Sequence, residues 1–306
     1  MTPVRPADPV HALLHPRLPV DLRDTLGGMR RGARDRSTVF ADGAVWRAFH
    51  TPAGTATLRL ASRPGGEVEA TAWGDGAEWA IASAPDLLGA RDSLDGWAPR
   101  HGVVRDQHLR RPAMRIPRSG LVFDSLLPAV LEQKVTGTEA RRSYAELTLR
   151  FGTLAPGPMP LRVPPSAAVV ARIPSWEWHL AGVDHTRART LVTAASRAAR
   201  LEEVVDMASA DAQRRLRAIP GIGAWTSAET AQRALGDADA VSVGDFHLAH
   251  FVGWVLTGHR VDDDGLLDLL EPYRPHRYRA VKLLELSGLR HPRYGPRMAI
   301  TDRRAF

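Results

Sequence analysis

The sequence predicts an α+β protein in two parts: a small antiparallel α+β domain over residues 1–112 and a mostly α-helical region over residues 113–306. Apolar residues recur with period two in the first part, as in strands with one buried face. In the second part they recur every three or four residues, as along one face of a helix. A stretch rich in proline and arginine, from Arg105 to Gly120, separates the two patterns.

The first part contains the predicted strands, between Thr38 and Ser83. One side of the alternating pattern is apolar, at Ala56, Leu58, Leu60, Val68, Ala70 and Ala72. Turns between the strands are supplied by Pro64-Gly65-Gly66 and Gly74-Asp75-Gly76, because glycine and proline favour tight reversals. Short turns between strands predict an antiparallel sheet.

The second part contains the predicted helices. Apolar residues share a helical face at Leu127, Val130 and Leu131, and again at Leu248, Phe251, Val252 and Val255. Thr138 is a candidate cap for a helix that runs toward Phe151. A proline-rich loop from Ala155 to Pro165 separates two groups of helices.

The composition favours a folded, cationic protein. Hydrophobic residues make up 44% of the 306 residues, which is enough to fill a core. The 41 basic and 34 acidic residues give a net charge of +7, which favours a polyanionic partner such as nucleic acid. A solvated arginine-rich surface is the alternative. Only Lys134 and Lys282 are lysines, and arginine binds phosphate through two parallel hydrogen bonds.

The absence of cysteine excludes disulfides, thiolate metal sites, a cysteine nucleophile and a cysteine-held iron–sulfur cluster. His247 and His250 have the spacing of a metal-binding pair, but no third ligand accompanies them. We therefore expect neither a metal nor a cofactor. No segment has the apolar length of a signal peptide or a membrane span, so we expect a cytoplasmic protein that does not bind membranes.

The most informative segment is Leu216-Arg217-Ala218-Ile219-Pro220-Gly221-Ile222-Gly223-Ala224-Trp225. It predicts two helices joined by Pro-Gly-x-Gly, since glycine supplies the positive φ angles of a tight hairpin. The backbone N–H groups of Gly221 and Gly223 would then stand at a helix N-terminus, where they can bind phosphate without reading sequence. An ordinary turn between helices is the alternative.

Twenty residues downstream, Val241-Ser242-Val243-Gly244-Asp245 precedes an apolar-periodic helix. Asp245 is in the position of a helix N-cap. A carboxylate there is held rigidly and is stabilised by the helix dipole, so the capping role is compatible with a catalytic one.

The hairpin followed by Gly-Asp at this spacing resembles the helix-hairpin-helix Gly-Pro-Asp superfamily of DNA glycosylases, and within it the bacterial 3-methyladenine glycosylase II branch. Pro85-Asp86-Leu87-Leu88-Gly89 and Val130-Leu131-Glu132-Gln133-Lys134-Val135-Thr136 also resemble that branch, so the resemblance covers most of the chain. It implies two helical subdomains with a DNA cleft between them. It also implies a monomer that acts on double-stranded DNA containing a damaged base.

The resemblance implies that Asp245 stabilises the positive charge that develops on the sugar and orients or deprotonates water. Gly221, Ile222 and Gly223 become phosphate anchors. Gln133 and Lys134 lie in the segment that enters the duplex while the base is flipped out. Lys134 stands where an apolar wedge is expected, so a wedge, a phosphate clamp and a solvated surface lysine all stay open.

Trp225 stands where bifunctional relatives have the lysine that forms a Schiff base, which predicts a monofunctional enzyme. By the same resemblance, Trp225, Glu229 and His276 line the base pocket. Glu229 and His276 replace aromatic residues of the family, which predicts weaker preference for cationic alkylpurines. The alternatives are a core position for Trp225 and solvated surface positions for Glu229 and His276.

DNA contacts are further implied for Thr226, His247 and Arg277. The function predicted from these residues is a monofunctional DNA glycosylase of base excision repair. A non-catalytic protein that binds or senses DNA damage is the alternative, and the presence of Asp245 favours the enzyme.

Overall fold

The computed structural model describes residues 8–290, and over that range the protein is a mixture of α-helices and β-strands. The strands are β1 (Val10–Leu14), β2 (Thr38–Ala41), β3 (Ala44–Thr51), β4 (Gly54–Ser62), β5 (Val68–Trp73), β6 (Thr153–Leu154) and β7 (Arg162–Val163). The helices are α1 (Leu22–Leu26), α2 (Ala77–Leu87), α3 (Gly102–Arg110), α4 (Val122–Leu131), α5 (Gly137–Phe151), α6 (Ala167–Val170), α7 (Ser175–Leu180), α8 (His185–Ala195), α9 (Ala198–Glu202), α10 (Ser209–Arg217), α11 (Ala224–Ala234), α12 (Leu248–Thr257), α13 (Asp263–Leu270) and α14 (Arg277–Leu286).

The first five strands form one antiparallel sheet in the order β1-β5-β4-β3-β2. The predicted inward positions of β4 and β5 are all buried in the core beneath the sheet. The turn at Pro64–Gly66 joins these two strands, as predicted. On the opposite face, Leu161 and Val163 pack against Ala48, so the proline-rich loop ends in a small hairpin that covers part of the sheet.

The predicted extension of the strands to Ser83 is wrong, because Ala77–Leu87 is helix α2. Gly74-Asp75-Gly76 therefore joins a strand to a helix. Buried residues of α2 lie three or four positions apart, at Ala77, Ala80, Ala84 and Leu87, and pack in the core of the sheet. The buried positions of this segment therefore follow the three-to-four-residue period of a helix and not the two-residue period of a strand.

The later helices form two hydrophobic cores. The first contains α4 and α5 together with α8 and α10, and the second contains α12, α13 and α14. Helix α3, which precedes residue 112, packs into the second core through Val104. A division of the chain at residue 112 stays a prediction.

Helix α11 lies at the boundary between these cores. Its Ala234 belongs to the first core, whereas Ala228 and Ala231 pack against Ala240, just before the segment that leads into α12. No helix within residues 8–290 is both long and apolar enough to cross a membrane.

Candidate active site and nucleic-acid interface

A tight turn joins α10 to α11. Gly221 has a φ of +92°, and a Cβ atom on it would lie 2.0 Å from Oγ1 of Thr190 on α8, so both the backbone and the available space require glycine. Gly223 has a φ of −97°, and no neighbouring heavy atom lies within 4 Å of a Cβ built on it. The prediction of positive φ is therefore right for Gly221 and wrong for Gly223, where glycine keeps the surface open.

The first amide groups of α11 are available to a ligand. Gly223 is the N-cap residue and offers no side chain to them. Within residues 8–290, the N–H groups of Gly223, Ala224 and Trp225 have no hydrogen-bond acceptor. The side chain of Ile222 is 5% exposed and packs in the first helical core, and its N–H donates to the Ile219 carbonyl at 3.0 Å, which weighs against its predicted role as a phosphate anchor. Free amides at a helix N-terminus attract anions, so the geometry suits a phosphate.

The Asp245 carboxylate is held by three N–H donors. Oδ1 accepts from the backbone N–H groups of His247 at 2.8 Å and Leu248 at 2.9 Å, just before α12 begins. Oδ2 accepts from the indole Nε1 of Trp225 at 2.9 Å. The N-cap residue of α12 is His247, so the predicted N-cap position of Asp245 is wrong. The Asp245 carboxylate precedes the cap, accepts from the N–H groups of His247 and Leu248, and is also bonded to the helix of the hairpin. Oδ2 keeps capacity to accept a further hydrogen bond.

Trp225 is half-buried, and its bond to Asp245 connects two segments that are twenty residues apart. Since Trp225 lies in the first turn of α11, directly after the free amides, one short helix segment carries both the anion-binding groups and the support of the carboxylate. The position of the free amides relative to the Asp245 carboxylate is therefore fixed by the helix and the indole hydrogen bond.

The turn after α4 is tied to the hairpin by Gln133. Its Nε2 donates to the Gly221 carbonyl at 2.9 Å and to Oγ1 of Thr226 at 2.8 Å. Lys134 follows on the surface with a φ of +52°, a conformation that side chains rarely adopt. Thr136 caps α5 through a reciprocal pair of bonds with Glu139, so the choice of Thr138 as the cap is wrong.

The three further residues expected to contact DNA are differently situated. Thr226 is 2% exposed and its hydroxyl is bonded to Gln133. Arg277 is paired with Asp239 through two bonds, of 2.6 and 2.9 Å. Both side chains already form hydrogen bonds within the protein, which weighs against direct DNA contacts. His247 is exposed beside Asp245, where it is accessible to a ligand.

Glu229 is part of an ion-paired network. Its carboxylate binds Arg233 at 2.7 Å and accepts from the Ser242 hydroxyl at 2.5 Å. Burial would raise the pKa of Glu229, but the Arg233 charge and the Ser242 hydrogen bond outweigh it and hold the pKa below its usual value. Glu229 is neither a solvated charge nor a free pocket wall, because its oxygens stabilise the segment before Asp245.

His276 is 4% exposed and lies at the start of α14. Its Nδ1 accepts from Nε of Arg279 at 3.3 Å, so Nε2 carries the proton and donates to the Asp95 carbonyl at 2.8 Å. Its ring also packs edge-on against Trp97. With both nitrogens engaged, His276 has no group left to bind a base, which weighs against its predicted place in the pocket.

Sequence reasoning missed one residue beside Asp245. Phe246 is 73% exposed, although an aromatic residue at the start of an apolar helix is expected to be buried. It could not have been found from the sequence pattern, because its exposure depends on how α12 packs.

Within the described range, no group of three or more histidine, aspartate or glutamate residues has an arrangement that could hold a metal ion.

Neither a model of a known protein family nor a curated protein matches the sequence. Solved structures do match the fold. A 3-methyladenine DNA glycosylase from Archaeoglobus fulgidus is 16% identical, with a TM-score of 0.72, and the match covers 90% of this chain and 97% of that chain. The apo form of an 8-oxoguanine glycosylase/lyase from Clostridium acetobutylicum is 11% identical, with a TM-score of 0.70 and coverage of 92% and 97%.

A smaller part of the chain matches a 3-methyladenine DNA glycosylase from Schizosaccharomyces pombe in complex with abasic DNA. The identity is 16% and the TM-score 0.51, over 64% of this chain and 96% of that chain. The chain thus has the fold of these DNA glycosylases.

Proposed function

We propose that this protein is a monofunctional DNA glycosylase of base excision repair, with Asp245 as its catalytic carboxylate. The observation that carries the proposal is the hydrogen bond from Trp225 to Asp245, which fixes a carboxylate relative to the free amides of the hairpin. Base excision requires backbone N–H groups that bind the DNA phosphates, and a helix N-terminus supplies them. It also requires a rigidly held carboxylate that stabilises the charge of the transition state.

The mechanism starts with phosphate binding at the hairpin, through the free backbone N–H groups of Gly223, Ala224 and Trp225, so that duplex DNA is bound without reading its sequence. The damaged nucleotide rotates out of the stack toward Asp245. As the N-glycosidic bond lengthens, positive charge develops on the sugar, and the Asp245 carboxylate stabilises it. The remaining acceptor capacity of Oδ2 serves to orient and deprotonate the water that attacks C1′.

The proposed absence of lyase activity depends on the two lysines. Lys282 is 6% exposed and its Nζ donates to the Thr25 carbonyl at 3.2 Å, so it is not accessible to a sugar. Lys134 lies on the surface beside the hairpin, where its stem is available to fill the duplex or its ammonium to bind phosphate. Trp225 occupies the position of the nucleophile in bifunctional relatives and cannot form a Schiff base.

The proposed base pocket uses the aromatic residues that remain near Asp245. Trp225 offers a half-buried indole and Phe246 an exposed ring, and both are able to stack on a base. Glu229 and His276 act behind this pocket, because their polar atoms are already bonded within the protein. Their proposed role is to support the Asp245 segment and the start of α14.

The test is base release from a panel of duplexes that carry single alkylated, deaminated or oxidised bases. The expected result is release of a free base and an abasic strand that breaks only after alkali, with no covalent adduct in borohydride. Strand cleavage with efficient trapping would contradict the monofunctional mechanism. Tight binding of lesion duplexes without release of any base would favour the non-catalytic, damage-sensing alternative.

A further inference from the structure

Residues 30–36 form a loop between α1 and β2 that is rich in arginine, with the sequence Arg30-Arg31-Gly32-Ala33-Arg34-Asp35-Arg36. We call this segment the arginine loop. Four of its seven residues are arginine and one is acidic. The loop precedes most of the antiparallel sheet in the chain, whereas the hairpin and Asp245 belong to the later helices. No step of the proposed mechanism uses its charge.

The one acidic residue of the loop, Asp35, is directed inward. It is 4% exposed, and its Oδ2 accepts from the N–H group of Arg31 at 2.6 Å. Its Oδ1 accepts from the N–H and the hydroxyl of Ser37, at 2.8 and 2.7 Å, and from the N–H of Thr38 at 3.2 Å. These bonds hold the loop backbone in one conformation and occupy the carboxylate with donors other than the loop's guanidinium groups.

Five cationic side chains in this region have no ion pair. They are Arg30, Arg34 and Arg36 of the arginine loop, Arg141 of α5 and Lys134 of the turn before α5, and none forms an ion pair or a side-chain hydrogen bond within residues 8–290. All except Arg30 are exposed. Arg30 is partly buried, and its Nε has no hydrogen-bond partner among the described residues. The surface of this region therefore carries positive charge that the protein itself does not neutralise.

The arginine loop lies against α5 and the turn that precedes it. Gly32 has a φ of +86°, and a Cβ atom built on it would lie 2.8 Å from Cδ of Arg141, so only glycine lets the two elements approach this closely. Nη1 of Arg31 lies 3.4 Å from Oε1 of Glu132. The cations of the loop and those near the start of α5 are thus brought to one region by direct contacts.

This region adjoins the hairpin. Glu132, which Arg31 contacts, directly precedes Gln133, and Nε2 of Gln133 donates to the Gly221 carbonyl at 2.9 Å. A duplex bound at the free amides of the hairpin carries one phosphate charge per about 1.7 Å of its axis. Unpaired cations beside such a duplex attract its phosphates, and a guanidinium group binds phosphate through two parallel hydrogen bonds.

We propose that the arginine loop and Arg141 form a second DNA-binding surface, which binds backbone phosphates of the duplex on one side of the damaged base. This inference rests on the proposed glycosylase function. The hairpin would bind phosphates near the extruded nucleotide, and the arginine loop would bind those of the paired duplex farther along. Contacts to phosphate carry no sequence information, so this surface adds affinity for any sequence that flanks the lesion.

The experiment measures the dissociation constant of a duplex with one central tetrahydrofuran abasic analogue, by fluorescence anisotropy between 50 and 200 mM KCl. Arg34→Gln/Arg141→Gln removes one charge from the loop and one from α5, and Arg34→Lys/Arg141→Lys keeps both charges. The matched control is Arg105→Gln/Arg110→Gln, because these two arginines of α3 are also exposed and without an ion pair within the described residues. Thermal unfolding of each variant checks that it is folded.

The expected change is in the salt dependence. Each phosphate contact contributes about 0.9 to the slope of log affinity against log salt, so the loss of two contacts lowers the slope by about 1.8. Between 50 and 200 mM KCl, the wild type should therefore lose about tenfold more affinity than Arg34→Gln/Arg141→Gln. The lysine variant should keep most of the wild-type slope, and the α3 control should change it by less than about 0.5.

Duplexes shortened on either side of the lesion locate the contact. On the duplex that lacks the arm bound by the arginine loop, the wild type and Arg34→Gln/Arg141→Gln should bind equally. On the duplex shortened on the other side, the difference between them should persist. A loss that only reflects the lower net charge of the protein would appear with both duplexes and in the α3 control.

The inference is overturned if Arg34→Gln/Arg141→Gln keeps the wild-type slope, if the α3 control loses as much, or if the loss is the same with both shortened duplexes. The glycosylase function survives any of these results when the wild type releases a damaged base. Conversely, the expected changes in binding together with no base release from any lesion duplex would support this surface and refute the glycosylase function.

Discussion

Replacing Trp225 with phenylalanine removes one hydrogen bond from the Asp245 carboxylate and keeps an aromatic ring in the same position. The bond measures 2.9 Å from Nε1 to Oδ2, and the indole is half-buried, so water replaces the lost donor only in part. A hydrogen bond to a charged group contributes about 1.5–3 kcal/mol. If the bond positions the carboxylate in the transition state, Trp225→Phe slows excision by about 10- to 150-fold.

The assay for this variant is single-turnover release of the best substrate of the panel, with affinity for the same duplex measured in parallel. Because a phenyl ring can still stack on a base, the affinity should change by less than about fivefold, and the loss should be in the rate. Trp176→Phe is the matched control, since Trp176 is 63% exposed on α7, away from Asp245. A rate for Trp225→Phe within twofold of the wild type would refute the claim that this bond positions the carboxylate.

Further predictions concern the hairpin and the buried lysine. Gly223→Val should leave the free energy of unfolding within about 1 kcal/mol and weaken duplex binding, because a Cβ there meets no protein atom but enters the surface proposed for phosphate; normal affinity of the folded variant would contradict the phosphate site. Gly221→Ala should instead lower the free energy of unfolding by about 2 kcal/mol, since φ is positive and Thr190 occupies the space, and a wild-type unfolding curve would contradict this packing. Burial lowers the pKa of Lys282 from 10.5 to about 8, so the unfolded chain binds more protons between those values and stability rises with pH over that window. Lys282→Met should therefore raise the free energy of unfolding at pH 7 by about 1–2 kcal/mol and abolish this rise, as measured by urea unfolding at pH 7 and 9.5; a lower stability at pH 7 would contradict it.

The sequence predicted the hairpin well because its signals are local. Gly221 is constrained by its own φ and by one neighbour, and Pro-Gly-x-Gly between two apolar-periodic segments is sufficient to indicate the turn. Asp245 was likewise recognisable from its position before a helix, and the structure adds the indole bond from Trp225, which no local pattern indicates.

The positions of Glu229 and His276 could not be predicted, because distant partners determine them. His276 is bonded to the carbonyl of Asp95, which lies 181 residues earlier in the chain. Glu229 is held by Arg233 on its own helix and by Ser242 from the following segment. Alignment with a family indicates where a residue stands along a helix, but the exposure of its polar atoms depends on tertiary packing.

The opposite error applies to Phe246. An aromatic residue that starts an apolar helix is ordinarily a core residue. The structure exposes Phe246 next to Asp245. The residues that surround a site therefore include some whose sequence pattern gives no sign of it.

The central claim is that the Asp245 carboxylate carries the chemistry, and the rate of base release by Asp245→Asn tests it most directly. Asparagine keeps the shape but removes the charge, and its amide can point a second donor at Trp225, so the double variant Trp225→Phe/Asp245→Asn controls for that clash. Both variants should release base at least about 100-fold more slowly than the wild type while binding the lesion duplex within about fivefold. Retention of more than about a tenth of the rate, a loss below about 1.4 kcal/mol, would contradict the catalytic role of Asp245.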